Sequence, residues 1–180
     1  EENKLFIIRP TVVFGIGNRG NFYNLLNQIA IGKFVMIGNG KNIKSIAYID
    51  NLVDFLYVCI LSKKPFGLYN YADTPNLDMN QMIKIIKSSF SLKNKFNIKI
   101  PYSLALAIGY FADLIRYLFK VKLTISSTRI RKFCANTRIS SSKNKLDNFS
   151  AAFPLDKAID ITIKNEFIEQ DKDYEIFYTE

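Results

Sequence analysis

Residues 5–49 read LFIIRPTVVFGIGNRGNFYNLLNQIAIGKFVMIGNGKNIKSIAYI, and the order of patterns in this stretch decides the fold. Leu5 to Phe14 is rich in β-branched and aromatic residues, which predicts a strand. Phe22, Leu25, Leu26 and Ile29 then recur at helical spacing, and Gly32 follows as a C-terminal stop. Phe34 to Ile37 predicts a second strand, closed by a Gly38-Asn39-Gly40 turn. Ile43 to Ile49 returns as a third strand, and Asp50 is placed to cap a helix from Asn51 to Leu61.

Within this stretch Gly15-Ile16-Gly17-Asn18-Arg19-Gly20 matches the dinucleotide fingerprint G-x-G-x-x-G, between a strand and a helix. Two features argue against that use. Pro10 interrupts the strand, where proline cannot donate to the ladder of a buried central strand. The fingerprint also needs an acid about 20 residues on to hold the ribose. Here the next strand runs into Gly38-Asn39-Gly40 and offers none. The expected role is a loop and helix start that uses glycine for its backbone freedom.

Outward from this stretch the alternation continues. Pro65-Phe66-Gly67 reads as a turn before a strand from Leu68 to Ala72. Asp78 and Gln81 stand three apart, as in a capping box, ahead of a helix carrying Met82, Ile83, Ile86 and Phe90. Phe96 to Ile100 is a short strand ended by Pro101. Ser103 to Phe119 is an apolar helix whose charges, Asp113, Arg116 and Lys120, fall on one narrow stripe. That helix is expected to be buried against other helices or a partner subunit, with a membrane surface as the secondary reading. It is slightly short for a span of about 20 residues and carries its charges inside, so it does not read as transmembrane.

Ser126 to Phe133 reads as a short basic helix or turn, and Ser140 to Leu146 as another. Leu155, Ala158, Ile159, Ile163 and Phe167 mark the last helix, and residues 170–180 form an acidic tail. The whole describes a small mixed α/β domain over residues 1–169.

The chain has 180 residues, enough for one domain with a real core. It is 48% apolar and 23% charged, which excludes disorder. No histidine is present, which removes Ser-His-Asp and Cys-His catalysis and the commonest metal ligand. Two cysteines, Cys59 and Cys134, suggest neither a disulfide framework nor a zinc site, and a reducing, cytoplasmic setting fits. No signal peptide is visible in Glu1-Glu2-Asn3-Lys4. The net charge of +9 suits a phosphate-bearing ligand or an anionic surface, or simply scattered lysines in a Lys-, Asn- and Ile-rich chain. There are no RGG tracts or stacking-aromatic strands, so nucleic acid is not an expected partner.

Arg9-Pro10-Thr11-Val12-Val13-Phe14-Gly15 resembles the strand that follows the catalytic Tyr-x-x-x-Lys in extended short-chain dehydrogenase/reductases, the NAD-dependent epimerase/dehydratase family. Further motifs arrive in family order. They are Asn18-Arg19-Gly20-Asn21-Phe22, Gly32-Lys33-Phe34, Gly38-Asn39-Gly40-x-Asn42-x-Lys44-Ser45 and Tyr48-x-x-Asn51-Leu52-Val53-Asp54. They are similar to the pocket segments of UDP-sugar 4-epimerases, most of all those acting on N-acetylhexosamines in surface-polysaccharide synthesis. Arg129-x-Arg131-Lys132-Phe133 and Ser140-Ser141-Ser142-Lys143 resemble the later basic contact and turn.

The resemblance implies a substrate-binding α/β domain lacking the N-terminal Rossmann half, with residues 1–15 as the last portion of the Rossmann sheet. It implies that Pro10, Thr11, Val12 and Val13 border the nicotinamide end of NAD. Asn21, Lys44 and Arg131 would surround the substrate diphosphate. Two departures stand out: relatives carry arginine near Lys44 and asparagine at Val12. Lysine brings the charge without the bidentate fork.

None of the ten tyrosines has a lysine four residues on, so the chain carries no family catalytic pair and no catalytic residue is assigned to it. The expected partners are a nucleotide-sugar, the missing Rossmann half and, through the unpaired apolar edge of Leu5 to Phe14, a second copy. The alternative function is a catalytically inactive module of the same fold that senses a nucleotide or a partner.

Overall fold

The computed structural model describes residues 4–92, 98–121, 123, 125–139, 146, 149–169 and 175–178. In chain order the elements are β1 (Leu5–Pro10), β2 (Val12–Phe14), α1 (Asn21–Ala30), β3 (Val35–Ile37), β4 (Ile43–Lys44), β5 (Ile46–Tyr48) and α2 (Ile49–Leu61). They continue as β6 (Phe66–Tyr71), β7 (Leu77–Asp78), α3 (Met79–Ser89), β8 (Ile98–Ile100), α4 (Tyr102–Phe119), α5 (Ser127–Cys134) and α6 (Leu155–Ile163). A π-helical turn, Lys164–Ile168, extends α6.

Leu5 to Phe14 is one extended segment that changes partner at Thr11. β1 runs parallel to β6, from Leu5 opposite Phe66 to Pro10 opposite Tyr71. β2 runs parallel to β5, from Val12 opposite Ile46 to Phe14 opposite Tyr48. Pro10 is the last residue of its strand, and the Thr11 amide supplies the next bond, to the Tyr71 carbonyl at 3.0 Å. The expected orphan strand is therefore paired along one edge. Its other edge has no strand partner among the described residues.

Asp73 holds the two pairs together. Its carboxylate accepts from the Tyr48 amide at 2.7 Å and the Tyr71 hydroxyl at 2.9 Å, and its own amide donates to the Ile46 carbonyl at 2.9 Å. Burial is the main influence on this carboxyl and raises its pKa above the ordinary value, against the lowering effect of its hydrogen bonds. The same burial, with Asp73 beside it, pushes the Tyr71 phenol up.

Alternation along β6 sorts its side chains. Phe6, Ile8, Tyr69 and Tyr71 pack with Leu52, Phe55 and Cys59 of α2 in one cluster. On the opposite face Leu5, Ile7, Phe66 and Leu68 are exposed at 57, 41, 56 and 43%. Parallel pairs normally have both faces covered, so this bare face is unfinished. The second cluster lies between α1, α3, α6 and the strands β2, β3 and β5, centred on Phe14, Leu26, Met82, Ile86 and Ile159. The Phe14 ring packs at a tilt against Phe22 and Tyr48, with centroids 4.4 and 5.5 Å apart, tying the strand to α1 and β5.

Several local expectations hold and several shift. The Asp78–Gln81 capping box is complete, and Ser126 caps α5 by accepting from the Arg129 amide. Asp50 does not cap α2: the helix starts at Ile49, so Asp50 lies in its first turn. Phe66 and Gly67 belong to β6 rather than a turn, because they complete the register with Leu5 and Phe6. Ser45 breaks the third strand in two by bonding Asn76 and the Ile139 amide. Residues 93–97 and the turn at 140–145 lie outside the described residues, as does most of the tail.

The largest departure is α4. Of the charged stripe, Asp113 faces the protein, its carboxylate accepting from the Ser127 amide and hydroxyl at 3.0 and 2.6 Å, while Arg116 and Lys120 are exposed. Gly109 lets α5 approach; a Cβ there would meet the Ser127 backbone at 2.9 Å. The apolar side faces outward, and only 17% of the helix is buried, so the expected burial against other helices is not found within the chain.

Two outcomes test this account. Glu166 has a fully buried side chain paired with Arg19 at 2.9 Å and accepts from the Gly17 amide at 2.6 Å. Glu166→Ala leaves Arg19 unpaired and is expected to cost about 3–5 kcal/mol in urea denaturation. For Asp73, the fold favours the protonated carboxyl, so its contribution is fullest below the ordinary carboxylate pKa and is lost as pH rises through the raised value. Relative to Asp73→Asn, the wild type should lose stability as pH climbs above about 4; parallel pH profiles would contradict this.

Candidate functional site

Pro10, Thr11, Val12 and Val13 lie where the parallel strands β1 and β6 end, the end at which α/β sheets hold ligands. Val12 is 46% exposed, while Val13 packs on the β6–α2 cluster. The Thr11 hydroxyl is buried without a hydrogen-bond partner among the described residues. A buried orphan hydroxyl beside an open apolar side chain fits an edge contact with the cofactor that the family resemblance implies.

The loop that follows is built differently. Gly17 donates its amide to the Glu166 carboxylate, Arg19 to the Phe177 carbonyl at 2.7 Å, and Gly20 to the Asn18 side chain at 3.0 Å. Phe177 returns a bond from its own amide to the Gly17 carbonyl at 2.8 Å. The Arg19 side chain turns inward to Glu166 and bonds the Tyr23 hydroxyl, with its guanidinium 4.2 Å from that ring. These amides are spent within the chain and a carboxylate sits among them, so the loop does not fit a pyrophosphate. Asn21 follows it, exposed, as the first residue of α1.

Lys44 reaches the far end of α5. Its ammonium donates to the Lys132 and Ala135 carbonyls at 3.0 and 2.7 Å, which puts a cation on the helix C-terminus. Burial lowers its pKa, with the nearby Cys134 thiol acting in the opposite sense. Cys134 is likewise pushed up by burial and drawn down by Lys44. Residues 136–139 run beside β4, through Thr137 amide to Ile43 and Ser45 amide to Thr137, so this corner is firmly braced.

Arg131 is exposed on the same helix but turns toward α4, where it bonds the Tyr110 hydroxyl, its guanidinium 5.5 Å from the ring. Thus α5 brings Lys44 and Arg131 to one element, while their side chains engage different partners, the C-terminus of α5 and Tyr110 of α4. Clefts of about 570 and 810 Å³ flank α3 and include neither of them, nor Asn21. Among the described residues no cluster of His, Cys, Asp or Glu could hold a metal.

Asp73 and Glu166 are buried polar residues that sequence reasoning passed over, and Asn51 entered it only as one position of the Tyr48-x-x-Asn51 motif. Asn51, fully buried, accepts from the Phe153 amide and donates to its carbonyl. Its signal was present in Tyr48-x-x-Asn51, a polar residue inside an apolar helix. Glu166 carried no local signal, since its partners lie nearly 150 positions away.

Over 99% of its length the chain is 41% identical to the N-acetyl-alpha-D-glucosaminyl-diphospho-ditrans,octacis-undecaprenol 4-epimerase of Escherichia coli O157:H7. It spans 54% of that relative. Among solved structures it resembles UDP-N-acetylglucosamine 4-epimerase from Bacillus cereus, with a TM-score of 0.63, 14% identity and coverage of 90% of this chain and 48% of that one. A human epimerase family protein with NADPH gives a TM-score of 0.67 at 15% identity, again over 90% of this chain and 49% of that one. Comparison with protein-family models finds no match. In sequence the chain is similar to a sugar 4-epimerase, and in fold to epimerase structures, spanning about half the length of each, as expected of a C-terminal part of an extended short-chain dehydrogenase/reductase epimerase.

The helix cap changes what truncation should do. Lys44→Ala removes two carbonyl contacts and is expected to lower stability by about 1–2 kcal/mol. Arg131→Ala, on an exposed contact, should change it by less than about 1 kcal/mol. Thermal melts of both variants check the contrast; equal losses would remove the capping role.

Proposed function

We propose that this chain is the substrate-binding part of an NAD-dependent 4-epimerase acting on an N-acetylhexosamine joined through a diphosphate to its carrier, in the synthesis of surface polysaccharide. The observation that carries this is the 41% identity across 99% of the chain to the undecaprenol-linked 4-epimerase. That name also makes a polyprenol the favoured carrier over a nucleotide. NAD, when bound, supplies the hydride acceptor and donor at C4 of the sugar.

In this reading the catalytic tyrosine and lysine, and the nucleotide pocket, come from the Rossmann half. This chain walls the cofactor's nicotinamide end with Pro10 to Val13, where the Thr11 hydroxyl awaits a polar partner. Asn21 offers an exposed amide at the start of α1. Lys44 and Arg131 add positive charge from two sides of α5, so the diphosphate would lie across that helix. Each cation must exchange a contact within the chain for the ligand. Stronger charge-assisted bonds to phosphate drive such an exchange.

The test is the complete reading frame, supplied with NAD and offered in parallel N-acetylglucosaminyl-diphospho-undecaprenol and UDP-N-acetylglucosamine. The expected outcome is the 4-epimer from the lipid-linked substrate. Conversion of UDP-sugar alone would move the carrier to a nucleotide, and conversion of neither would sink the proposal. The 180-residue chain by itself should show no saturable NAD binding in the range of about 1–10 μM.

A further inference from the structure

α4 leaves its apolar side uncovered. Asp113 is directed at α5, while Leu104, Ile108, Phe111, Leu114 and Leu118 are exposed at 43 to 64%, alongside the exposed Arg116 and Lys120. Tyr110, Tyr117 and Phe119 flank this face at 49, 81 and 70% exposed. The apolar exposure continues past the helix through Val121, Leu123 and Ile125. A contiguous apolar surface of this length is not left to water.

The charge around it names the cover. Arg116, Lys120, Lys122, Arg129, Arg131 and Lys132 follow in sequence through the end of α4 and α5, and no acid occurs between Leu114 and Leu146. A second copy docked about a two-fold axis would bring this basic stretch against itself, which like charges oppose. The Rossmann half already has a bare face to cover, that of Leu5, Ile7, Phe66 and Leu68. An anionic lipid surface satisfies both features at once: acyl chains take the apolar face, headgroups take the basic rim, and tyrosines suit the boundary.

We propose that α4 is a membrane-contacting helix that lies in the plane of an anionic bilayer and seats the protein on its surface. By length and composition α4 could cross a bilayer. The packing argues for lying flat: α5 runs against Ala105, Gly109 and Asp113, so one side of the helix is closed to lipid by protein along several turns. The inference stands on this surface alone and is independent of the sugar and its carrier.

Flotation of the complete protein with vesicles tests it. Phosphatidylethanolamine–phosphatidylglycerol vesicles should carry the wild type upward, phosphatidylcholine vesicles much less, and added salt should weaken the association. Phe111→Glu/Leu118→Glu should cut partitioning by about tenfold or more, while melting temperature and oligomeric state stay unchanged. Three results would overturn the proposal. They are no flotation of the wild type, flotation equal in the double variant, or a double variant that splits a dimer or unfolds while the wild type stays off vesicles.

Discussion

The carboxylate of Asp73 is the point on which this architecture turns. A strand that changes partner leaves a seam, because the residues at the change belong fully to neither neighbour. At Thr11 the segment leaves β6 and takes up β5, and Asp73 closes that seam from the side, binding Tyr48, Tyr71 and Ile46. Without it the β6–α2 cluster and the larger cluster around Phe14 would meet without a fixed register. The cost is a buried charge whose protonation the fold itself favours. The same seam places Thr11 and Val12 at the strand ends, so the proposed cofactor edge and the structural weak point coincide.

Glu166 plays the equivalent part for the glycine-rich loop. It arrives from the π-helical turn after α6 and takes the Gly17 amide and the Arg19 guanidinium together. A loop that would otherwise present free amides to an anion is thereby filled from within. Phe177 completes the closure from still further along the chain. The motif's glycines serve a turn at this site, as Gly17 with φ of 80° shows, and the electrostatics are the reverse of a phosphate cradle.

Element type was largely readable because hydrophobic period and capping are local. Asp78 with Gln81, and Ile29 followed by Gly32, announce their helices within a few residues. What escaped was set by distant partners. Phe66-Gly67 reads as a turn until Leu5 and Phe6 pair with it, and Ser45 splits a strand because Asn76 and Ile139 claim its hydroxyl. Of the candidate site, Lys44 is singled out by its Gly-Asn-Gly context, but its engagement with the C-terminus of α5 was not legible, since those carbonyls lie about ninety positions on. The direction of the α4 stripe was equally hidden. Spacing shows that charges share a face, and only the packing of α5 shows which way Asp113 points.

The exposed surface then has a logic of its own. Among the described residues, apolar faces are left uncovered on the β1–β6 pair, on α2 and on α4, and the first and last differ in what surrounds them. The β1–β6 face is made by strands whose outer edge has no partner among the described residues, and suits continuation of a sheet beneath a helix layer. The α4 face is aromatic-rich and followed by a stretch with basic but no acidic residues, which suits a soft anionic surface rather than a rigid partner. An enzyme acting on a polyprenol-linked sugar would need both: a protein body to complete the cofactor site, and a surface on which the lipid carrier already lies. If α5 connects them, with Lys44 on its C-terminus and Arg131 turned to α4, then the diphosphate contacts and the membrane contacts share one helix. Seating α4 in lipid would then bring the basic face of α5 to headgroup level, where a lipid-linked diphosphate presents its charge.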